Sequence, residues 1–227
     1  MTLPESTVCD SRDLKTYYFH ATTFRIFAVW LLTQIFHFLM KMEVHGGEYF
    51  PKEGPVIVAA NHVTSFDVFP MQLSLPRPIF FMAKSGLFKI PPLDWMFRNL
   101  GAFPVQRGEK DAWAIQQARK VLDHGQTLGM FPEGTRSKGR GLAVAKTGTA
   151  RLAIEANCPI LPMAITGSDR FFRDFPRRTR VTILFQPSLF PKTGDTPLAL
   201  TDRLMFELAS ALPEDMRGVY AERPEGF

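Results

Sequence analysis

Pro55-Val56-Ile57-Val58-Ala59-Ala60-Asn61-His62-Val63-Thr64-Ser65-Phe66-Asp67 begins as an unbroken apolar run and ends in polar residues. A short apolar run without alternation fits a strand covered on both faces, as in parallel sheets. Residues 79–83, 102–105, 127–131, 160–165 and 181–185 read the same way. Helical patterns stand between them, from Asp67 onward and over 93–100, 111–124 and 146–156, with a last one over 201–212. In 111–124, Asp111 can cap the start, Ile115, Ala118 and Leu122 share one face, and Gly125 follows the end. Strands alternating with helices predict an α/β fold with a mostly parallel central sheet flanked by helices.

Ahead of this pattern the chain differs. Residues 24–40 read FRIFAVWLLTQIFHFLM, an apolar run that also holds Arg25, Gln34 and His37. It falls short of the roughly 20 residues needed to span a bilayer. Lys15, Tyr17, Tyr18 and His20 before it suit a membrane interface. Three placements fit the run: a helix lying in one leaflet, which the composition favours, a buried helix packed on the domain, or a full span. The expected organisation is an N-terminal membrane-associated helical segment over 1–50 and an α/β domain over 51–227. The expected location is membrane-associated, on the cytoplasmic face.

The 227 residues suffice for a full core, and 45% apolar with 22% charged residues is ordinary for a globular chain. A formal charge of +5 suits anionic partners such as phospholipid headgroups, acidic carriers or phosphorylated substrates. Nothing resembles a module that reads nucleic acid. The two cysteines, Cys9 and Cys158, lie far apart, which fits a reducing compartment. His20, His37, His45, His62 and His124 make no ligand-spaced pair, so no metal and no cofactor is expected.

Asn61 and His62 follow a strand directly and should emerge at its carboxyl end, where open α/β sheets place their sites. Asp67 lies five positions on, which in one continuous helix would turn the two side chains about 140° apart. They meet only if residues 63–66 form a turn and the helix starts near Asp67, as Pro70 in a first turn allows. Asp67 can either orient His62 as a general base or cap the helix. Phe131-Pro132-Glu133-Gly134-Thr135-Arg136-Ser137 follows another strand. There Gly134 permits a close backbone approach, and Thr135 and Arg136 offer donors for phosphate oxygens. Glu133 can accept from a substrate hydroxyl, or hold Arg136 or a backbone amide. Arg107 and Lys84, at two further strand ends, are candidate phosphate cations. A second basic stretch, Arg170 with Arg173, Arg177, Arg178 and Arg180, reads as an edge facing anionic lipid or an acidic carrier.

These residues resemble the 1-acylglycerol-3-phosphate acyltransferase family (lysophosphatidic acid acyltransferases). Its Asn-His-x₄-Asp block matches Asn61, His62 and Asp67, and its glycine-to-arginine block matches Gly101, Phe103 and Arg107. Phe131 to Ser137 matches the third block without departure, and Leu161-Pro162-Met163 matches the fourth. The similarity runs from about residue 56 to 165 and resumes weakly at 212–220. It implies transfer of a fatty acyl group from acyl-coenzyme A or acyl-carrier protein to the free hydroxyl of lysophosphatidic acid, giving phosphatidic acid. It implies His62 as base, Asp67 as its orienter, and Arg107 and Arg136 near the acceptor phosphate. It also implies an amino-terminal helical pair seated in the membrane. Thr64-Ser65-Phe66 and Met163 depart from the commoner residues and bear on acyl-chain or acceptor preference. The other readings are an acyltransferase for a different lysolipid, or a membrane-docked lipid-binding protein without catalysis.

Overall fold

The computed structural model describes residues 10–106, 111–171 and 176–224. Seven strands form one sheet: β1 Met40–His45, β2 Val56–Ala60, β3 Ile79–Lys84, β4 Ala102–Val105, β5 Thr127–Met130, β6 Ile160–Thr166 and β7 Thr179–Phe185. Their order is β1-β7-β6-β2-β5-β3-β4, and every neighbouring pair is parallel except β6 with β7. The apolar runs are continuous because both faces are covered. Ile57 and Ala59 of β2 join the core on one face, and Val56, Val58 and Ala60 join the core on the other.

Helices α4 Ala112–Asp123, α5 Gly148–Ala156 and α6 Pro197–Ser210 supply the first of these cores through residues such as Val121, Leu152 and Leu204. The opposite face is covered by α1 Thr23–Leu39 and the short α2 Val68–Leu73, through Phe36 and Met71. Helix α3, Pro91–Asn99, sits beside the β4 edge. Parallel strands joined by crossovers send β2, β5, β3 and β6 out at one rim, and the loops that follow them meet there.

The amino-terminal part departs from expectation in three ways. Met40 leaves the helix and opens β1, so the sheet begins before residue 51. Before α1 only Ser11–Leu14 is helical, as one 3₁₀ turn, so the described residues hold one long helix there rather than a pair. Among the described residues no helix is long and apolar enough to cross a membrane, so the spanning placement falls. Instead α1 lies across the sheet and leaves Ile26, Phe27, Trp30 and Phe38 exposed on its outer side.

Arg25 explains how α1 is seated. It is buried, donates from Nη2 to the Ile79 carbonyl at 2.5 Å, and lies over the Phe80 ring at 4.5 Å. Burial pushes its guanidinium down to about 10, which leaves it charged at neutral pH. At Gly101, where φ is +86°, a Cβ would stand 2.5 Å from Arg25 Nη1, so only glycine fits beside this helix.

Candidate active site

The carboxyl end of β2 is pinned first. Asn61 donates from Nδ2 to the Ile165 carbonyl at 2.9 Å and accepts from the Ile165 amide at 2.8 Å, locking β2 to β6. His62 comes next, with Nδ1 2.8 Å from Asp67 Oδ2. Residues 63–66 form the turn that the five-residue spacing demanded, and α2 starts immediately after Asp67. Although Asp67 occupies the N-cap position, its side chain makes no cap bond. Its Oδ2 accepts from the Val63 and Thr64 amides at 2.7 and 2.9 Å, and its Oδ1 from Ser168 Oγ at 2.6 Å and Thr64 Oγ1 at 3.3 Å. Every one of these contacts uses an oxygen of the fully buried Asp67 side chain as the acceptor. A carboxylate only accepts, so His62 Nδ1 carries the proton and Nε2 is the basic nitrogen. Among the described residues nothing hydrogen-bonds Nε2, and the Phe131 ring stacks on the imidazole at 4.0 Å and 16°.

Glu133 does not face outward. It is 3% exposed, with Oε1 accepting from the His62 amide at 3.0 Å and Oε2 from the Ala143 amide at 2.9 Å. The Ser137 amide donates to the His62 carbonyl at 2.7 Å, so the loop after β5 holds both backbone groups of His62. Burial pushes the Glu133 carboxyl up, against the pull of the two amides and His62. Of the three roles open to Glu133, the structure shows the hold on a backbone amide: its oxygens accept from the His62 and Ala143 amides, so it positions His62 and does not accept from a substrate hydroxyl.

The rest of the loop faces the rim. Gly134 has φ +68°, and Thr135 and Arg136 are exposed. Arg136 Nη1 donates to Ser65 Oγ at 2.6 Å, tying the phosphate-binding candidate to the His–Asp turn. Lys84 ends β3 at the same rim with its side chain in solvent. Arg107 lies outside the described residues. His62, Asp67, Glu133, Gly134 and Arg136 thus converge in one place.

Two supports were invisible in the motifs. Ser168 lies just past the end of β6, and only the β2–β6 pairing brings it to Asp67. The second is the segment 140–146, which carries the Ala143 amide and is clasped by the tail. Leu142 donates to the Met216 carbonyl at 3.0 Å and accepts from Val219 at 3.1 Å, and the Ala145 amide donates to the Tyr220 hydroxyl at 3.1 Å.

A family model described as Acyltransferase matches residues 41–166. The chain is 32% identical over 135 residues to a 1-acyl-sn-glycerol-3-phosphate acyltransferase of Borreliella burgdorferi, covering 59% of this chain and 54% of that one. It is 30% identical over 179 residues to a namesake from Chlamydomonas reinhardtii, covering 76% and 53%. The chain therefore spans about half the length of these relatives. The human enzyme of the same name, alpha form, is 27% identical over 200 residues, covering 82% and 71%. Among solved structures, the 1-acyl-sn-glycerophosphate acyltransferase PlsC of Thermotoga maritima matches with a TM-score of 0.68 at 25% identity, covering 82% of this chain and 79% of that one. The matched span of the family model takes in more than half of the chain and both loops that meet at His62, and the protein belongs to the acyltransferase family.

Proposed function

We propose that the protein transfers a fatty acyl group from an acyl-coenzyme A or acyl-carrier-protein thioester to the free hydroxyl of 1-acylglycerol-3-phosphate, giving phosphatidic acid for phospholipid synthesis. The observation that carries this reading is the buried His62–Asp67 pair at 2.8 Å, with Nε2 left without a partner among the described residues, beside a loop bearing Gly134 and Arg136. Asp67 holds the Nδ1 proton, so Nε2 takes the proton of the acceptor hydroxyl as its oxygen attacks the thioester carbonyl. The tetrahedral intermediate then collapses, the C–S bond breaks, and the imidazolium returns its proton to the leaving thiolate. General-base help of this kind is worth roughly 10² to 10⁴ in rate. Arg136 holds the acceptor phosphate, and Lys84 adds positive charge at the same rim.

The names of the relatives support this acceptor, since each is called a 1-acyl-sn-glycerol-3-phosphate acyltransferase. A lipid acceptor also fits the apolar outer side of α1, which in this reading lies on the cytoplasmic face of a membrane. Thiol release from a long-chain acyl-coenzyme A, with and without lysophosphatidic acid, tests the reaction in wild-type and His62→Ala protein. Release that needs both the acceptor and His62 is the expected result. Release without acceptor identifies a thioesterase instead, and a His62→Ala rate within tenfold of wild type removes His62 as the base. Repeating the assay with acyl-carrier protein separates the two donors.

A further inference from the structure

We propose that Lys146 is a binding residue for the acceptor phosphate, forming an anion cradle with Gly134 and Arg136; this rests on the acyl-acceptor reading above. The lysine lies across the glycine. A Cβ on Gly134 would meet Lys146 Cδ and Cε at 3.3 Å and Nζ at 3.4 Å, so the missing side chain leaves room for the ammonium against the loop. Among the described residues Lys146 Nζ has no hydrogen bond and no ion pair, which leaves its three donors for a ligand. Arg136, by contrast, has already committed Nη1 to Ser65.

The position of Lys146 is fixed at several points. Its amide donates to the Pro132 carbonyl at 2.9 Å, two residues before Gly134. Upstream, Ala143 is tied to Glu133, Leu142 to Met216 and Val219, and Ala145 to the Tyr220 hydroxyl. Helix α5 begins two residues later, and its N-cap Thr147 makes no side-chain cap bond. The positive end of that helix therefore adds to the potential beside the ammonium. Acceptor chemistry supplies the last constraint. In 1-acylglycerol-3-phosphate the free hydroxyl and the phosphate sit on adjacent carbons, so a hydroxyl at His62 Nε2 leaves its phosphate close by. Glu133 joins the Gly134 loop to the His62 amide, so the cradle adjoins the residue that carries the base.

A charge-assisted contact of this kind is worth about tenfold to a hundredfold in affinity. Short-chain 1-acylglycerol-3-phosphate is titrated into wild-type, Lys146→Met and Lys146→Arg protein without donor, and 1-monoacylglycerol of the same chain length serves as the phosphate-free control. The expected result is at least tenfold weaker lysophosphatidate binding by Lys146→Met, recovery in Lys146→Arg, and unchanged binding of the monoacylglycerol. Equal lysophosphatidate affinity in wild type and Lys146→Met overturns the proposal, and so does an equal loss for both ligands. Turnover by the same wild-type preparation reports separately on the acyltransfer reading: protein that binds lysophosphatidate without acylating it defeats that reading and leaves the Lys146 result standing.

Discussion

Asp67 shows how a single side chain can be made to serve one partner. Its two oxygens collect two amides, two hydroxyls and the His62 ring. Ser168 makes the shortest of these bonds, and its own burial leaves water little access to replace it. Ser168→Ala should therefore lower kcat about tenfold with little change in either KM, because the carboxylate loses a fixed orientation rather than its charge. The same change should cost about 1–3 kcal/mol in denaturant unfolding, from a buried oxygen losing its hydroxyl donor. Steady-state rates at saturating donor and acceptor, beside urea unfolding, check both; an unchanged kcat would show that Thr64 and the two amides suffice to orient Asp67. Ser168 was not legible because its role depends on β6 pairing with β2, a contact over a hundred residues of chain. His62 and Asp67 were legible, since their spacing allows contact only through a turn at a strand end. Glu133 was legible as part of a motif, with its role left open between a substrate hydroxyl, Arg136 and a backbone amide. A carboxylate that faces substrate and one buried under two backbone amides are the same letter in the same loop.

Elements with local causes were read from the chain with shifts of a few residues at their ends. Helix α4, for example, begins at Ala112 under the Asp111 cap, as the pattern of 111–124 required. The strap before α1 was misread because its polar residues find partners far away in sequence. Arg12 reaches Asp111 at 2.6 and 3.0 Å as well as Asp10, Asp13 accepts from Trp113 Nε1 at 2.8 Å, and Lys15 meets Asp94 at 3.0 Å. These partners latch the strap onto α3 and the start of α4, where a helical pair had been expected. Burial alone would raise the Asp111 carboxyl, but Arg12 and the Gln106 and Ala114 amides outweigh it and hold it below its ordinary value. A carboxyl depressed in the folded state contributes stability that is present above roughly pH 4 and is lost as pH falls through the lower folded value. Asp111→Asn should therefore melt about 3 °C or more below wild type at pH 7. The gap should narrow as the pH falls below roughly 4. Thermal unfolding of both proteins across that range is the check, and a gap independent of pH would mean that Arg12 contributes through packing on Trp113.

Across the whole molecule, the sheet divides the surface into unlike halves. One face is closed by α4, α5 and α6, while the other carries α1 with its apolar side turned to solvent. Phe24 packs on Trp95 at 4.6 Å, so the exposed apolar surface continues from α1 onto α3. At the other end of α1, Arg178 donates to the Met40 carbonyl at 2.9 Å, which brings this arginine and the exposed Arg177 beside it to the end of the helix. An apolar stripe bordered by cations, on a chain of net charge +5, fits an anionic leaflet better than bulk water. The same rim holds His62, so under the proposed function a leaflet met by α1 would bring a lipid acceptor to the base without leaving the membrane surface. Burying Phe27 and Trp30 is worth roughly 1.5–3 kcal/mol each. Phe27→Ser with Trp30→Ser should then weaken binding to phosphatidylglycerol-containing vesicles by more than tenfold, with circular dichroism unchanged, because both side chains already face outward. Arg177→Glu should weaken it less and mainly at low salt, since exposed charges are screened over about 10 Å at 0.1 M ionic strength. Vesicle sedimentation across a salt series separates the two contributions. Full retention of binding by the Phe27 and Trp30 double variant would show that α1 does not meet the bilayer, and a salt response lost only in the arginine variant would leave the basic rim as the docking surface.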